Sequence, residues 1–352
     1  MEEREERWKK EREDIEKYLS KENGGKFPFF IKADLAKEAQ KLVGGKGEEE
    51  EEEEEMERGV RGVSGFVYKT VFMKHLLEVG KKYARTCISN FRVACVGQTK
   101  EDNLALGVNM EFPPLPLHCC VHAEQSMLST LLNNQQKTLK LFYVSHAPCG
   151  HCRQFIKEVL DPSETLIIIT SRKKYYKYSQ LLPESFGPSD LGVEKTLFEY
   201  ENQRVHLQVE ESERLDLHLQ HPPKEKGEEG REGLVNEKLL EELREKLREK
   251  FGYSHSPYSS SPSSLLLLTE SGVLGEGCYM ESAAYNPSLP PLQSALVSLL
   301  SNGGKFEEIR LVLLLESSTA TISQLDTSVL LLKILSPSFS FFSYKIDVKK
   351  ML

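Results

Sequence analysis

Two stretches of the sequence, VHAEQSML from Val121 to Leu128 and APCGHCRQF from Ala147 to Phe155, decide how the chain folds. Each is predicted to begin a helix, because apolar residues recur at helical spacing behind it. The run LKLFYVSHA, at residues 139–147, lies between the two helices and is predicted to be a buried strand. A strand between two helices indicates a layered α/β structure.

Other short apolar runs extend this pattern. NFRVACVG (90–97) and LALGVNMEF (104–112) are predicted to be antiparallel strands joined by the polar turn TKEDN. TLIIIT (165–170) is predicted to be a further strand, and LVNEKLLEELREKLREKF (234–251) an amphipathic helix. Short strands that alternate with helices place the chain in the α/β class.

The bulk composition excludes several classes of protein. A chain of 352 residues is long enough for two domains, and its net charge of −8 argues against affinity gained by neutralising phosphates. Seven cysteines are too few for a disulfide scaffold and suit a reducing compartment. No apolar run is as long as a membrane span, and the charged N-terminus lacks the apolar core of a signal peptide. We therefore expect a cytosolic protein with no membrane partner.

The charge pattern predicts four regions. Residues 1–65 are predicted to be a charged N-terminal extension, in which positions 1–26 could form a solvated helix with little apolar face. Within it, the unbroken glutamate run from Glu48 to Glu55 indicates a surface insertion or, alternatively, an acidic segment that binds a basic partner. Residues 66–206 are predicted to form the catalytic domain, 207–233 a charged linker, and 234–352 a second domain.

The second domain repeats the first weakly. When Gly107 is aligned with Gly277, LALGVNMEF (104–112) lies over LGEGCYMES (274–282). The same alignment places Leu292 opposite His122 and Ser294 opposite Glu124, and the later strand EIRLVLLLE leads to no cysteine pair. Duplication followed by loss of the chemistry in the second copy explains this pattern most simply.

The chemistry of the first copy points to zinc. Two thiolates and an imidazole suit this ion, and Cys149 and Cys152, at positions i and i+3, project from one face of a helix start. His122 and Glu124 can face the same site if His122 lies at the start of its helix. Three protein ligands are typical of catalytic zinc, and Glu124 is then a proton carrier. The alternative is a closed structural site with a fourth histidine ligand (His118, His146 or His151).

The order H-x-E followed by P-C-x-x-C is the signature of zinc-dependent nucleobase deaminases. The stretches NMEFPPLPLH, VHAEQ, SHAPCGHCRQF and LLPESFGP resemble those of two-domain, homodimeric cytidine deaminases, as does YMESAAYNPSLPPLQSALV in the second half. This resemblance implies a three-layer α/β/α fold, with a mixed sheet flanked by helices. It also implies a duplicated chain whose degenerate C-terminal copy helps to complete the site of the partner subunit.

The resemblance also assigns roles to individual residues. It implies that zinc is held by His122, Cys149 and Cys152, and that Glu124 moves the protons. It further implies that Asn109 and Glu111 bind the ribose hydroxyls, and that Phe91 and Phe186 line the base pocket. From the residues alone, turn capping for the polar pair and core packing for the aromatic pair remain open. Ala94 replaces a glycine that the family usually has, and its methyl group is expected to crowd the backbone there.

The predicted function is hydrolytic deamination of cytidine and 2′-deoxycytidine in pyrimidine salvage, by a homodimer that binds a small-molecule substrate and no nucleic acid. One alternative is a deaminase that edits cytosine or adenine in polynucleotides. That activity would need a basic channel, and the basic cluster RKKYYKY (172–178) is predicted to be a solvated loop. Another alternative is an inactive, zinc-stabilised paralogue that acts as a binding partner.

Overall fold

The computed structural model describes residues 2–43, 60, 63, 65–159, 165–194, 196–198, 215–217, 237–336 and 338–346. These residues form two units. The first comprises Met1–Glu199 together with Ser282–Ser288, and the second comprises Tyr200–Glu281 and Leu289–Leu352. The predicted glutamate run lies outside the described residues, as does the predicted linker except for residues 215–217. No helix in the described part of the chain is long and apolar enough to cross a membrane.

The first unit is built on a six-stranded mixed sheet with the order β1-β3-β2-β4-β5-β6. Strands β4 and β5 are parallel and the other neighbours antiparallel. The strands are β1 (Phe30–Ile31), β2 (Ala94–Gln98), β3 (Leu104–Val108), β4 (Leu141–Val144), β5 (Leu166–Ile169) and β6 (Lys174–Lys177). The helices are α1 (Glu2–Glu22), α2 (Ala33–Gln40), α3 (Thr70–Lys81), α4 (Ala123–Asn133), α5 (Gly150–Ile156) and α6 (Tyr178–Leu181). The strands and helices that the sequence predicts around the two deciding stretches are therefore confirmed.

Helices cover both faces of this sheet. On one face α4 lies so close to β3 that a Cβ added at Gly107 would be 2.1 Å from the carbonyl oxygen of Ala123. On the other face Gly80 of α3 approaches the side chain of Leu106, since neighbouring positions of a strand face opposite sides of the sheet. A Cβ at Gly80 would lie 3.2 Å from the Cβ of Ala94, so a glycine in α3 faces the extra methyl group of β2. The predicted three-layer α/β/α class is confirmed.

Helix α1 differs from the solvated helix that the sequence predicts. The helix forms, but Ile15 and Leu19 on one face are fully buried. The carboxylate of Glu11 on the same face lies 3.0 Å from Nε2 of His75 in α3. Residues 11, 15 and 19 share a face because they are spaced by about one helical turn. A stripe of this width is enough to pack one helix against another, even in a sequence that is charged almost throughout.

The basic cluster RKKYYKY also differs from its prediction as a loop. Residues 174–177 form edge strand β6, which pairs antiparallel with β5. The side chains of Lys174 and Lys177 remain exposed, so the cluster is solvated as predicted. Backbone pairing with the apolar strand β5 does not depend on the polarity of the β6 side chains, and charged residues are common on edge strands.

The second unit is built on a five-stranded mixed sheet with the order β7-β11-β10-β8-β9, in which β10 and β11 are parallel. Its strands are β7 (Leu215–Leu217), β8 (Ser263–Thr269), β9 (Leu274–Cys278), β10 (Ile309–Ser317) and β11 (Ser340–Ile346). Its helices are α7 (Glu237–Phe251), α8 (Pro291–Ser301) and α9 (Leu325–Leu335). The apolar face of the predicted amphipathic helix α7, which includes Leu243 and Leu247, packs on Leu266, Leu313 and neighbouring residues of this sheet. The strand order β9-β8-β10-β11 repeats β3-β2-β4-β5 of the first unit, as duplication requires.

The repeat changes register between its strand pair and its helix. Met110 forms a bridge with Val121 in the first unit, whereas Met280 forms the equivalent bridge with Leu289, after a connection that is shorter by two positions. The alignment of Gly107 with Gly277 therefore holds for the strands and slips by two positions at the helix. The predicted pairing of Leu292 with His122 and of Ser294 with Glu124 is wrong by this amount. Pro290, the N-cap of α8, occupies the place of His122, and Leu292 occupies the place of Glu124.

Candidate active site

Most of the residues that the sequence singles out lie at one edge of the first sheet, Phe186 being the exception that no contact among the described residues places there. Strand β2 is antiparallel to both β3 and β4, so its first residues lie beside the ends of those two strands. Asn109 donates its backbone N–H to Val93 O at 3.3 Å, and Ser145 donates to Ala94 O at 3.0 Å. The two bonds between Met110 and Val121 then bring the start of α4 to the same edge. Strand ends thus supply the polar positions, and the helix starts that follow β3 and β4 supply the candidate metal ligands.

Three side chains form a candidate metal centre. Nδ1 of His122 lies 3.4 Å from Sγ of Cys149 and 3.3 Å from Sγ of Cys152. All three ligand atoms lie within 4.8 Å of one another, and no fourth histidine, cysteine or carboxylate of the described residues joins them. His122 is the N-cap of α4 and has an extended backbone, as predicted from its position two residues before Glu124. Cys149 is the N-cap of α5, and Cys152 lies in its first turn.

The donor set fits zinc. Tetrahedral bonds of about 2.0–2.3 Å to nitrogen and sulfur place the donor atoms about 3.5 Å apart. The two nitrogen–sulfur separations of 3.3 and 3.4 Å match this requirement. A set of two thiols and one imidazole selects zinc over the oxygen-seeking ions calcium and magnesium. Because the group contains none of His118, His146 and His151, these three donors leave one position of a tetrahedron open.

The protons of these ligands are shared through hydrogen bonds. The bond from Cys152, together with that of His122, lowers the pKa of the Cys149 thiol to about 3, against the opposing effect of burial. The same bond, together with burial, raises the pKa of Cys152 well above its usual range. The bond to Cys149 raises the pKa of His122. A metal ion that takes both sulfurs as thiolates and the imidazole as its neutral form replaces these shared protons.

Glu124 lies against the metal centre without belonging to it. Its Oε2 accepts a hydrogen bond from Sγ of Cys152 at 3.2 Å. Its side chain, in the first turn of α4, is buried. Burial raises the pKa of this carboxyl, because the charged form loses its hydration. A carboxyl group held beside the ligands, but outside the ligand set, is placed to exchange protons with a molecule at the open coordination position.

Asn109 and Glu111 brace the loop that precedes β2. The side chain of Asn109 accepts from Val93 N at 2.9 Å and donates to Phe91 O at 2.9 Å. Glu111 accepts from Ile88 N at 2.7 Å and from both the backbone and the hydroxyl of Ser89. Burial would raise the pKa of Glu111, but the bonds from Ser89 and Ile88 outweigh it and lower this pKa. The turn-capping role that the sequence left open is therefore present at both positions.

The two predicted pocket aromatics are exposed, so neither is an ordinary core residue. The side chain of Phe91 is 52% exposed, and its ring centroid lies 4.5 Å from that of His146. The side chain of Phe186 is 47% exposed, and its carbonyl accepts from Nε2 of Gln154 in α5. Each side chain is exposed enough for a flat ligand ring to stack on it.

Two residues at the site were given no role from the sequence. Arg153 donates to Pro148 O at 2.9 Å and to Leu181 O at 2.8 Å, and so fastens the loop that ends at Cys149. Gln125 accepts from the backbone N–H of His122 at 3.2 Å. A polar residue at the third helical position is the pattern of a capping box, so the sequence did carry a signal for Gln125.

Comparisons with known proteins identify the family. Residues 68–167 and 178–329 each match a family model described as a cytidine and deoxycytidylate deaminase zinc-binding region. The chain is 36% identical over 281 residues to cytidine deaminase 1 of Arabidopsis thaliana, an alignment that covers 76% of this chain and 87% of that protein. The chain belongs to the cytidine deaminase family. It is also 36% identical to the cytidine deaminase of Vibrio vulnificus strain YJ016, over 74% of this chain and 78% of that protein. The chain is also similar to the crystal structure of cytidine deaminase from Mycobacterium leprae, with 29% identity and a TM-score of 0.29. That alignment covers 32% of this chain and 95% of the Mycobacterium leprae chain.

Membership of the cytidine deaminase family confirms several predictions at once. The predicted enzyme class, a hydrolase of the deaminase type, agrees with both family matches. The predicted zinc cofactor agrees with their description and with the cluster of His122, Cys149 and Cys152. The two matches in succession agree with the predicted duplication.

Proposed function

We propose that the chain hydrolyses cytidine and 2′-deoxycytidine to uridine and deoxyuridine, with release of ammonia. The observation that carries this proposal is the contact of buried Glu124 with Cys152, whose sulfur is one of three candidate ligand atoms that lie within 4.8 Å of one another. A structural zinc site has no use for a buried carboxyl group in contact with a ligand sulfur. Membership of the cytidine deaminase family supports the choice of substrate.

The residues of the chain divide the chemistry between them. His122, Cys149 and Cys152 would hold zinc, which when bound supplies the Lewis acidity that makes water nucleophilic at neutral pH. Glu124 would take a proton from water and deliver it to N3 of the pyrimidine; it would then take the proton of the hydroxyl added at C4 and give it to the departing amino group. Attack at C4 and loss of ammonia convert the 4-amino group into the carbonyl of uridine. The burial of Glu124 keeps bulk water from competing for these protons.

The nucleoside is proposed to lie along the loop of residues 88–93. Phe91, with its ring half exposed, stacks on the pyrimidine, and Phe186 lines the same pocket. Asn109 and Glu111 hydrogen-bond the ribose hydroxyls with the lone pairs and protons that bracing of the loop leaves available. Stabilising the loop and binding the sugar are compatible roles for Asn109 and Glu111, because the proposed sugar position is next to that loop.

Three further points belong to this proposal. The enzyme acts in the cytosol on free nucleosides for pyrimidine salvage. It forms a homodimer, which sedimentation of the purified protein tests directly. Residues 66–206 carry the catalytic chemistry, 207–233 are the linker and 234–352 the degenerate domain, while the N-terminal extension 1–65 contributes α1, α2 and β1 to the first unit.

The test is release of ammonia from cytidine by the full-length, zinc-loaded protein, beside the variant Glu124→Gln. Loss of a general acid–base group lowers turnover by at least about 10²–10⁴-fold. We expect turnover by the wild type, and its loss in Glu124→Gln while one equivalent of zinc remains bound. Deoxycytidine, assayed in parallel, tests the breadth of the substrate range.

Two other outcomes would contradict the proposal. If zinc is bound but neither nucleoside is deaminated, single-stranded oligonucleotides containing cytosine or adenine become the substrates to assay. Deamination of oligonucleotides alone would indicate a polynucleotide deaminase. Zinc binding without deamination of either class would indicate an inactive, zinc-stabilised paralogue.

A further inference from the structure

A short segment from the second half of the sequence belongs to the first unit. Residues Ser282–Ser288, with the sequence SAAYNPS, follow β9 in the chain but are part of the unit that contains the metal centre. We call this segment the strap. Its hydrogen bonds reach side chains on the two chain segments that carry the metal ligands.

The first of these bonds is made by Gln125. Its Nε2 donates to the carbonyl of Pro287 in the strap at 3.0 Å, while its Oε1 accepts from the backbone N–H of His122. The side chain of Gln125 is only 2% exposed, so water does not compete for either bond. One amide therefore ties the strap to the backbone of a metal ligand. Because the bond is made to the N-cap residue, it restrains the backbone of His122 at the point where the helix begins.

The second bond is made by Glu158, at the end of the segment that begins with Cys149. Its Oε1 accepts from the backbone N–H of Ala283 in the strap at 2.8 Å. The residue is fully buried and lies just beyond the end of α5. A buried carboxyl group is costly unless its hydrogen bonds are satisfied, so this contact is a specific one. The strap is thus attached at one end to α4 and at the other to the α5 segment.

We propose that the strap positions the metal ligands, with Gln125 and Glu158 as positioning residues that act through His122 and through α5. The proposal rests on the proposed function, because it takes the cluster of His122, Cys149 and Cys152 as the zinc site. The two ligand helices are separate elements of the fold, joined in the chain through strand β4. A segment bonded to both fixes their separation, and so fixes the distances within the cluster.

The expected effect follows from how outer partners of metal ligands behave. Loss of such a partner typically lowers metal affinity about 10–100-fold, since the ligand must then be ordered at the moment of binding.

The experiment compares the zinc affinity of full-length variants by competition with a chromophoric chelator, together with their melting temperatures and their kinetics on cytidine. Gln125→Met removes both bonds at nearly constant volume. Gln125→Glu keeps an acceptor for His122 but removes the donor to Pro287. Glu158→Leu removes the acceptor for Ala283, and Glu158→Gln restores one. Gln98→Met is the matched control, because Gln98 is a buried amide of the same unit that bonds Phe66 O and Asp102 instead.

We expect Gln125→Met and Glu158→Leu to bind zinc about 10–100-fold more weakly. Glu158→Gln should bind within about threefold of the wild type, with Gln125→Glu between the extremes. The control should melt earlier without any change in zinc affinity. Unchanged zinc affinity in both Gln125→Met and Glu158→Leu, with melting temperatures lowered as in the control, would overturn the proposal. If Gln125→Met does not fold, the Glu158 pair decides the question in the same way. A wild type that binds zinc but does not deaminate cytidine would refute the proposed function and leave this comparison of affinities intact.

Discussion

Glu111 and Glu281 make the same hydrogen bonds at equivalent positions of the two units. Glu111 accepts from the backbone N–H groups of Ile88 and Ser89 and from the Ser89 hydroxyl. Glu281 accepts from the backbone N–H groups of Tyr258 and Ser259 and from the Ser259 hydroxyl. The second unit keeps this arrangement although Pro290 and Leu292 occupy the positions of His122 and Glu124. Both units therefore use this glutamate to stabilise the loop, and the proposed sugar binding would be an additional role of Glu111.

Alanine substitutions separate the two duties. Glu111→Ala and Glu281→Ala each leave three donors without their acceptor, which costs about 1–3 kcal/mol of unfolding free energy. We expect both variants to melt earlier, Glu281→Ala more so because its carboxylate is more deeply buried. Only Glu111→Ala should also raise KM for cytidine. An equal rise in KM for both variants would show that Glu111 acts on the substrate only through the stability of the loop.

The close approach of helix to sheet is testable in both units. A Cβ at Gly107 would lie 2.1 Å from Ala123 O, and one at Gly277 would lie 2.2 Å from the backbone nitrogen of Ala295. Since backbone atoms cannot move aside cheaply, Gly107→Ala and Gly277→Ala should each cost about 3 kcal/mol in chemical denaturation. Gly107→Ala should also weaken zinc binding, because it displaces the helix that begins after His122. Gly150→Ala, where no atom lies within 4 Å, is the control and should unfold like the wild type.

The contact between α1 and α3 predicts a pH dependence of stability. His75 is fully buried beside the ring of Trp8, and burial lowers its pKa below 6.5, although its bond to Glu11 opposes this shift. Of the other charged neighbours, Arg12 lowers this pKa and Glu78 raises it. The unfolded chain therefore binds a proton more readily than the folded one. The contribution of His75 to the free energy of unfolding is therefore fully present above pH 6.5. It is lost as the pH falls from 6.5 toward the lower pKa that His75 has in the folded protein.

Melting temperatures between about pH 8 and about pH 5.5 measure this effect, because the interval spans the unfolded pKa of histidine. The wild type should lose stability toward the acid end. His75→Phe, which keeps the ring and removes the titrating group, should show a smaller loss over the same interval. Equal slopes for the two proteins would mean that groups other than His75 govern the acid response.

Removal of zinc should destabilise the first unit. A bound ion at about 100 times its dissociation constant contributes about 2.7 kcal/mol to the folded state. A chelator should therefore lower the melting temperature of the wild type and abolish turnover, and zinc should restore both. Cys149→Ser should melt at the lower temperature with or without the chelator. Cys87→Ser, which alters an exposed thiol outside the cluster, should respond to the chelator as the wild type does.

Short stretches of sequence were enough to predict the candidate metal ligands and the central strands. Cys149 and Cys152 share a helix start, and His122 precedes a helix, because proline and polar residues end one element and begin the next within a short stretch. The strands β2 to β5 were predictable because apolar runs of this length, bounded by turn residues, have few other ways to be buried. Short-range features of this kind need no knowledge of the rest of the chain.

Helix α1 marks the limit of such reasoning. Its three positions Glu11, Ile15 and Leu19 form a stripe that average composition conceals. A stripe so narrow becomes a packing surface only if another helix offers a matching face, and that partner, α3, begins at Thr70.

The register of the repeat also could not be read from the sequence alone. The match of Gln125-Ser126 with Gln293-Ser294 was visible in the sequence, but the bridges at Val121 and Leu289 were needed to show that the second loop is shorter.

The sequence by itself thus predicted the residues of the candidate metal centre, because ligand type and spacing are local properties of the chain. Tertiary structure alone decided how those residues are held. The bond from Gln125 to Pro287 joins positions 162 apart in the chain, and that from Glu158 to Ala283 joins positions 125 apart. Contacts at such separation depend on how the strap packs within the first unit, and no periodicity records them. Their strength comes from burial, which removes the competing water and which only the folded chain provides.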